Sequence, residues 1–332
     1  MILQPSLSLL SPKLPYILSV PTGHIAILQG EKGLLECLSL GDYGKEANIK
    51  ADFMGLTKEI NGVEHKELLP LEEKWVATIS TQYGCSMNCK FCDVPKVGPG
   101  KNVTIEDLTS QLLLIRLLHP EVTSTKRLNI HFARMGEPTW NPAVLVFAEE
   151  VLPTLFPNFH IHPVVSTMAP RKNRLLNHFL GTWLDIKNIV YQGEAGLQLS
   201  INSTSEEERA FLFSENALPL KVLSDMFRNY PSPQGRKITL NFALAGYQID
   251  ASYLASLFSP EWFMCKLTPM HMTNACKDSN IRTDGGYEYF SPYKEAEDNL
   301  KAEGYDVIVF IPSKEENESR ITYGNALLSL KE

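Results

Sequence analysis

Three cysteines within eight positions are the residues of this chain whose type and spacing best suit chemistry. They occur in the run Cys85-Ser86-Met87-Asn88-Cys89-Lys90-Phe91-Cys92, a CxxxCxxC pattern. Cysteine thiolates are the usual ligands of iron–sulfur clusters, which most often take four of them. Three cysteines in one short loop can bind three irons of a [4Fe–4S] cubane and leave the fourth iron open to an exogenous ligand.

A structural zinc site and unrelated buried thiols are the alternative interpretations of this pattern. Structural zinc sites use four protein ligands, and residues 80–100 contain no histidine and no fourth cysteine. The three cysteines also come directly after an apolar segment, residues 75–81, where a loop at the end of a strand is expected. The spacing and the position together favour the iron–sulfur interpretation.

The elements that must position this loop alternate between strand and helix from residue 75 onward. Strands are predicted at residues 75–81, 128–132, 162–167, 197–201, 237–244, 262–268 and 306–311. Helices are predicted at residues 108–118, 142–155, 172–180, 251–258 and 292–302, with two more between residues 205 and 230. Such alternation predicts parallel βαβ units, and therefore an α/β fold with a partial or complete (βα) barrel. Barrels of this kind carry their active sites at the C-terminal ends of the strands.

The first part of the chain lacks this alternation. Residues 14–20, 24–28 and 33–40 are predicted to form short β segments separated by turns. We therefore predict two parts, a small β-rich N-terminal module (residues 1–74) and a barrel with a C-terminal extension (residues 75–332).

Composition narrows the class of protein. The chain has 332 residues, of which 44% are hydrophobic and 21% charged, and a formal net charge of −7. This composition is typical of a globular chain with a large core, and the negative balance argues against extended binding to a nucleic-acid duplex. No uninterrupted apolar stretch reaches the roughly 20 residues of a membrane span, and the N-terminus lacks a signal-peptide pattern. We expect a cytoplasmic protein that does not enter a membrane.

The cysteine loop and several further segments make the sequence resemble a known family. The chain is similar to the radical S-adenosylmethionine (SAM) RNA methylases, which methylate adenosine in ribosomal and transfer RNA. The resemblance runs from about Trp75 to Leu327. Besides the cysteine loop, its carriers are Gln82-Tyr83-Gly84, Met135-Gly136-Glu137-Pro138, Val165-Ser166-Thr167, Leu199-Ser200-Ile201-Asn202, Gln234-Gly235-Arg236 and Leu267-Thr268-Pro269.

This resemblance implies a TIM-barrel-like radical SAM fold, a [4Fe–4S] cluster and SAM as cofactors, and an electron donor such as flavodoxin or ferredoxin. The implied metal ligands are Cys85, Cys89 and Cys92. The implied cofactor-binding residues are Phe91, Met135, Gly136, Glu137, Pro138, Ser166, Ser200, Asn202 and His271. A glycine lets the backbone approach a ligand, and the carboxylate of Glu137 can accept hydrogen bonds from the amine of SAM. Taken singly, polar residues at strand ends are often turn or cap residues, so their shared location is what indicates a site.

The chain departs from the family at the two cysteines that transfer the methyl group. The position of the methyl-carrying cysteine near the C-terminus falls at Tyr323, and that of the second cysteine, on the first barrel strand, falls at Thr78. Neither side chain can act as a thiol nucleophile. Cys276, on a loop after the sixth barrel strand, is the one further cysteine that could approach the site.

The chain departs from the family in three further respects. Asn202 and His271 stand where those enzymes typically have histidine and asparagine. Residues 65–70 contain no obvious counterpart of the acidic residue that deprotonates the methylated adduct. The N-terminal module is predicted as β hairpins, whereas many of those enzymes carry a helical RNA-recognition domain there.

Three functions remain open. The first is a radical SAM enzyme that cleaves SAM reductively to a 5′-deoxyadenosyl radical and abstracts hydrogen from a substrate, such as a nucleoside, nucleotide or modified base. The second is an RNA adenosine methyltransferase of the radical SAM type, and the third is a non-catalytic, cluster-containing RNA-binding or regulatory relative. The intact cysteine triad and the Gly136-Glu137-Pro138 segment count against the third. Residues 270–291 form either a substrate lid or an ordinary surface loop.

Overall fold

The computed structural model describes residues 15–42, 59–60, 63–64, 68–283, 291–310 and 326–329. Ten of the described strands form one sheet in the order β1-β2-β3-β6-β9-β10-β11-β12-β13-β14. Its strands are β1 (Tyr16–Val20), β2 (Gly23–Gly30), β3 (Gly33–Gly41), β6 (Trp75–Ile79), β9 (Thr125–Phe132), β10 (Phe159–Thr167), β11 (Gly196–Ser200), β12 (Ile238–Leu244), β13 (Phe263–Pro269) and β14 (Val307–Val309). Two small hairpins complete the strands: β4 (Glu59–Ile60) with β5 (Val63–Glu64), and β7 (Gln82–Gly84) with β8 (Pro99–Asn102).

Seven strands, from β6 to β14 in the sheet, run parallel, and their spatial order follows their order in the chain. Parallel neighbours joined by helices build the βαβ units that the sequence predicts. Within the described part of the chain no strand pairs β14 back to β6, so the sheet is an open, partial barrel. The predicted α/β fold class is confirmed.

The helices connect these strands, and none of those described is long and apolar enough to cross a membrane. They are α1 (Ile105–Leu117), α2 (Ala143–Val146), α3 (Leu152–Leu155), α4 (Leu176–Asp185), α5 (Glu206–Leu212), α6 (Leu220–Phe227), α7 (Ala251–Leu257), α8 (Asn274–Asp278), α9 (Ser291–Ala302) and α10 (Ala326–Ser329). A π-helical turn, Phe147–Val151, joins α2 to α3, and another, Ile186–Val190, follows α4.

Helix α1 shows how local sequence fixes an element. The Thr104 hydroxyl accepts the backbone N–H of Asp107, and the Asp107 carboxylate accepts the N–H of Thr104. This reciprocal cap satisfies N–H groups that have no partner inside the helix, and such a cap stabilises a helix by about 1 kcal/mol. The helix buries Leu108, Leu112 and Ile115, which join the core beneath the sheet.

The N-terminal strands extend the main sheet. Strands β1, β2 and β3 form an antiparallel meander, and β3 pairs with β6 through partners that include Leu38 and Thr78. Ile25 and Leu35 are fully buried and belong to the same hydrophobic core as Trp75. The predicted β segments therefore occur, while the division of the chain at residue 74 stays a prediction.

Two elements differ from the sequence prediction. The helix predicted at residues 172–180 begins only at Leu176, because residues 171–175 form turns after Pro170, closed by the bond from the N–H of Asn173 to the Pro170 carbonyl. The loop predicted at residues 270–291 contains the short helix α8, capped by the Thr273 hydroxyl, which accepts the N–H of Cys276. Residues 284–290 of that loop lie outside the described residues, so the lid stays a prediction.

Candidate functional site

A cavity of about 280 Å³ lies where the cysteine loop meets the C-terminal parts of the parallel strands. Its wall takes side chains from β6, β9, β10, β11, β12 and β13, in addition to the cysteine loop. Among the predicted site residues, those that line the cavity are Cys85, Phe91, Cys92, Gly136, Ser166, Ser200, Asn202 and His271. The position of the cavity agrees with the strand-end location expected for a barrel.

Four predicted site residues do not reach the cavity wall. They are Cys89, Met135, Glu137 and Pro138, and all four are buried behind it. The cavity is thus formed by most, but not all, of the residues that the resemblance singles out, and the individual roles of all of them stay proposals.

None of the three cysteines forms a disulfide within the described residues, and all three are buried or partly buried. Burial raises the pKa of Cys85 to about 12 and that of Cys92 to about 11, and it also raises the pKa of Cys89. The other cysteines of the loop add to the shift for Cys85 and Cys89, so the thiols lie close enough for their charges to interact. The Sγ of Cys89 lies 3.0 Å from the Sδ of Met168.

The donor set fits a cluster better than a single ion. Three thiols lie in one loop, and residues 80–100 offer no histidine and no fourth cysteine. A structural zinc site needs four protein ligands, whereas the cysteine ligands of a cubane bind separate irons at separate corners. Since thiolates are the metal-binding form, a cluster that replaced the three protons would also remove the cost of burying thiolate charges.

The cysteine loop is held in shape from both sides. Gly84 has a φ of +82°, and a Cβ there would lie 2.0 Å from the carbonyl oxygen of Gly98, so only glycine fits. On the other side, the Asn216 side-chain amide donates to the carbonyl of Met87 at 3.0 Å. The hydroxyl of Ser214 donates to the carbonyl of Asn88 at 2.6 Å.

Residues 273–276, at the start of α8, bind the last turn of this loop through hydrogen bonds. The Thr273 hydroxyl donates to the carbonyl of Phe91 at 2.9 Å. The N–H of Ala275 donates to the buried Asp93 carboxylate at 2.8 Å. The Cys276 thiol, fully buried, points at the same Phe91 carbonyl at 3.7 Å. Cys276 therefore packs behind the loop and does not line the cavity.

Gly136 and Glu137 form the turn after β9. Gly136 has a φ of +98°, and a Cβ there would lie 2.5 Å from the side chain of Gln82. Oε1 of Glu137 accepts hydrogen bonds from the hydroxyls of Thr167 at 2.6 Å and Thr139 at 2.8 Å. Oε2 accepts the N–H of Met168 at 2.9 Å. Burial raises the pKa of Glu137, and these hydrogen bonds oppose the rise.

The glutamate is therefore part of a structural network as well as a candidate ligand. A carboxylate oxygen can accept two hydrogen bonds, so Oε2 retains one acceptor position beside its bond to Met168. That position would have to serve any contact of Glu137 with the amine of SAM.

Two more residues that are predicted to contact SAM form hydrogen bonds within the protein. Asn202 is 3% exposed with a φ of +60°, and its Oδ1 accepts the N–H of Ala243 at 3.0 Å, which ties β11 to β12. The Ser166 hydroxyl donates to Oε1 of Gln198 at 3.3 Å. His271 is 2% exposed and lines the cavity wall next to residues 273–276.

The structure adds cavity residues that the sequence prediction missed. These are Arg134 and four strand residues, His131, Gln198, Asn241 and Lys266. Arg134 forms a buried ion pair with Glu36 of β3. The sequence signal for the strand residues is a polar side chain at every second position of otherwise apolar strands, which indicates one face turned to a polar cavity.

Only one of the two methyl-transfer positions, residue 78, lies within the described residues. Thr78 on β6 lines the cavity, so an alcohol stands in its wall where the family has a thiol. Tyr323 lies outside the described residues. Of the cysteines in the described ranges, Cys85 and Cys92 line the cavity, while Cys37, Cys265 and Cys276 are fully buried elsewhere.

Comparisons with known proteins match this description. The chain is 26% identical over 247 residues to the dual-specificity RNA methyltransferase RlmN of Sorangium cellulosum, over 70% of this chain and 61% of that protein. It is 32% identical over 171 residues to RlmN of Lawsonia intracellularis, over 51% of this chain and 45% of that protein. The chain thus spans about half to three fifths of the length of these curated relatives. No protein-family model matches the chain.

Among solved structures, a radical SAM methyltransferase from Sphaerobacter thermophilus aligns with a TM-score of 0.64 and 19% identity. The alignment covers 91% of this chain and 77% of that one. At this identity the likeness concerns the fold. The predicted fold class and cofactor set, a [4Fe–4S] cluster and SAM, are those of the proteins that the chain resembles. The chain has the fold of the radical SAM superfamily and resembles, in sequence, its RlmN-type RNA methylases.

Proposed function

We propose that this chain is a radical SAM enzyme that cleaves SAM reductively and abstracts a hydrogen atom from its substrate. The substrate class that the resemblance suggests is a nucleoside, nucleotide or modified base. When bound, the cluster and SAM supply one electron and a 5′-deoxyadenosyl radical, which is the chemistry that no side chain can supply. Methyl transfer through a protein cysteine is not part of the proposed reaction.

One observation carries this proposal: two cysteines of the loop line the same cavity as Thr78. Cys85 and Cys92 share the cavity wall with this threonine. The resemblance places the two methyl-transfer cysteines at Tyr323 and Thr78 in this chain, and neither a phenol nor an alcohol is a thiolate nucleophile at neutral pH. The residues that we expect to bind the cofactors therefore share a wall in which Thr78 stands in place of one of those two thiols.

The protein's own residues would bind, orient and shield the reactants. The cysteine loop, held by Gly84 and Asp93, would fix the cluster at one side of the cavity. Oε2 of Glu137 and the polar side chains of Ser166 and Ser200 would orient SAM. The burial of this wall would exclude water from a reactive radical.

An RNA adenosine methyltransferase is the second candidate. The observation that favours it is the name of the curated relatives, which are described as RNA methyltransferases. This candidate requires a methyl carrier other than the thiol that Tyr323 replaces, and the thiol of Cys276 faces the backbone carbonyls of Phe91 and His271.

Product analysis separates the two candidates. Reconstituted protein is incubated without oxygen with SAM, a reductant and nucleotide or RNA candidates, and all products are measured by mass spectrometry. We expect 5′-deoxyadenosine and methionine in equal amounts, without matching S-adenosylhomocysteine and without a methylated cysteine. Stoichiometric S-adenosylhomocysteine, with a methyl group on Cys276 or on RNA adenine, would establish the methylase instead.

The remaining expectations also belong to the proposal. Reduction of the cluster would need an electron donor such as flavodoxin or ferredoxin. The cytoplasmic location stays a prediction. A non-catalytic relative would bind SAM without forming 5′-deoxyadenosine, so the same experiment tests that third function.

A further inference from the structure

A buried carboxylate, Asp93, follows the last cysteine of the loop directly in the chain. The residue is 3% exposed and does not line the cavity. Its Oδ1 accepts the N–H of Ala275 at 2.8 Å, and its Oδ2 accepts the N–H of Asn274 at 3.3 Å. Two backbone donors thus hold this carboxylate in a fixed position inside the protein, next to Cys92.

The charge of Asp93 acts on the adjacent cysteine. Burial raises the pKa of the Cys92 thiol to about 11, and the negative charge of Asp93 adds to the rise. The positive charge of Arg134 acts in the opposite direction, but this arginine forms an ion pair with Glu36. A fixed negative charge that disfavours a thiolate also disfavours additional negative charge on a cluster bound by that thiolate, because both effects are coulombic.

Lys96 offsets the charge of Asp93 only in part. Its Nζ lies 3.6 Å from Oδ1 of Asp93 and 2.8 Å from Oδ2 of Asp278, which is the closer partner. The lysine side chain is 40% exposed, so solvent and salt screen its charge more strongly than that of the buried carboxylate. Asp93 and Lys96 therefore place opposite charges near the cysteine loop, and removing each one should affect the cluster in the opposite direction.

The same region of the loop also has neutral contacts. The Thr273 hydroxyl donates to the carbonyl of Phe91 at 2.9 Å and accepts the N–H of Cys276 at 3.0 Å. These bonds hold the loop against residues 273–276 without adding charge. They make it possible to disturb the position of the loop while the charge of Asp93 stays in place.

We propose that Asp93 is a positioning residue that holds the cysteine loop against residues 273–276 and lowers the reduction potential of the cluster. The proposal rests on the proposed function, because it requires the [4Fe–4S] cluster that the three cysteines would bind. Reduction adds one electron to the cluster, and a fixed negative charge nearby opposes that addition. The potentials of iron–sulfur clusters depend on such charges and hydrogen bonds. A lower potential makes the reduced cluster a stronger electron donor, which reductive cleavage of SAM requires.

The test measures the midpoint potential of the reconstituted protein, in an anaerobic titration with dithionite that is followed by EPR. Asp93→Asn keeps the shape of the side chain and removes its charge. We expect the reduction equilibrium to move about tenfold towards the reduced cluster, a rise of about 59 mV for a one-electron couple. Lys96→Gln removes the opposite charge and should lower the potential. Because Lys96 is exposed, this variant keeps the test valid if Asp93→Asn does not retain its cluster.

Two controls separate the charge of Asp93 from the position of the loop and from the net charge of the protein. Thr273→Val removes the bond to Phe91 and leaves Asp93 charged, so it should lower the melting temperature while the potential stays near the native value. Glu149→Gln removes an exposed carboxylate from the π-helical turn between α2 and α3, and it should leave the potential unchanged. Asp93→Glu keeps the charge, so its potential should lie below that of Asp93→Asn.

The proposal is wrong if Asp93→Asn has the midpoint potential of the native protein, or if Lys96→Gln raises that potential. It is also wrong if Thr273→Val shifts the potential as far as Asp93→Asn does, since the effect would then come from displacement of the loop. Failure of the proposed function would look different: the potentials would follow the predicted order, while the native protein formed no 5′-deoxyadenosine from SAM.

Discussion

Replacement of Glu137 by glutamine separates its proposed contact with SAM from its structural role. The native carboxylate accepts hydrogen bonds from Thr167 and Thr139 on Oε1 and from the N–H of Met168 on Oε2. In glutamine one of these oxygens becomes an amide group that donates. If the oxygen keeps the Oε1 partners, the amide faces the N–H of Met168 and cannot accept from the amine of SAM.

Two losses should therefore be measurable in Glu137→Gln. A hydrogen bond to a charged group contributes about 1.5–3 kcal/mol, so SAM affinity should fall by about 10- to 150-fold. The unsatisfied N–H of Met168 should lower the free energy of unfolding by about 1–3 kcal/mol. SAM affinity is measured by calorimetry on protein whose cluster content has been matched by iron analysis, and stability by thermal melting.

Thr139→Val provides the control for this variant. It removes one hydrogen bond to Oε1 and leaves Oε2 untouched, so it should lower stability while SAM affinity stays near the native value. The reasoning is refuted if Glu137→Gln binds SAM as tightly as the native protein with its cluster intact. An equal loss of SAM affinity in Thr139→Val would show that the effect is structural.

Three further predictions follow from the loop and the cavity. Replacing the three cysteines of the loop by alanine should abolish the brown chromophore and the EPR signal of the reconstituted protein; a full cluster in this variant would disprove the assignment. Gly84→Ala should lower cluster content, because the new Cβ would lie 2.0 Å from the carbonyl oxygen of Gly98; an unchanged iron content and melting temperature would contradict this. Burial, followed by the charge of Lys266, lowers the pKa of His131 to about 3, below its unfolded value of about 6.5. As pH falls, the unfolded chain therefore binds a proton before the folded chain does. The contribution of the neutral histidine to the free energy of unfolding is fully present above pH 6.5 and is lost between about pH 6.5 and 3, with up to about 2 kcal/mol lost by pH 5. The melting temperature of His131→Gln should accordingly fall less between pH 7 and pH 5 than that of the native protein, and parallel curves would argue against a buried neutral histidine.

Much of the fold can be predicted from the sequence because it rests on local signals. The capping box of Thr104 and Asp107 is such a local pattern, and it marks the start of α1 in the structure. Apolar runs separated by helical patterns predict the parallel strands in their order. Helix α8 could not be predicted in this way, because five residues, Asn274–Asp278, are too few to show a helical period.

The candidate site, too, could be predicted from the sequence only in part. The cysteine spacing indicates a metal site without any knowledge of the fold. The pair of Arg134 and Glu36 joins residues 98 positions apart, and no local pattern indicates such a contact. The occupied oxygens of Glu137 are likewise a property of two segments packed together, its own turn and the end of β10. Sequence therefore indicates which residue types are present, while tertiary structure decides how many acceptor positions remain.

The interior of the barrel has the greatest bearing on the reaction. An RNA base could reach a strand-end cavity only after being flipped out of its stack, and a chain of net charge −7 offers no general attraction to a phosphate backbone. The cavity instead offers polar side chains inside the barrel, such as Gln198 and Asn241. A ligand small enough to enter would be held by these groups close to SAM. Hydrogen abstraction needs such proximity because it proceeds without a protein-bound carrier. The threonine at position 78 and this polar interior thus support the same proposal, a small substrate that reacts directly in the cavity.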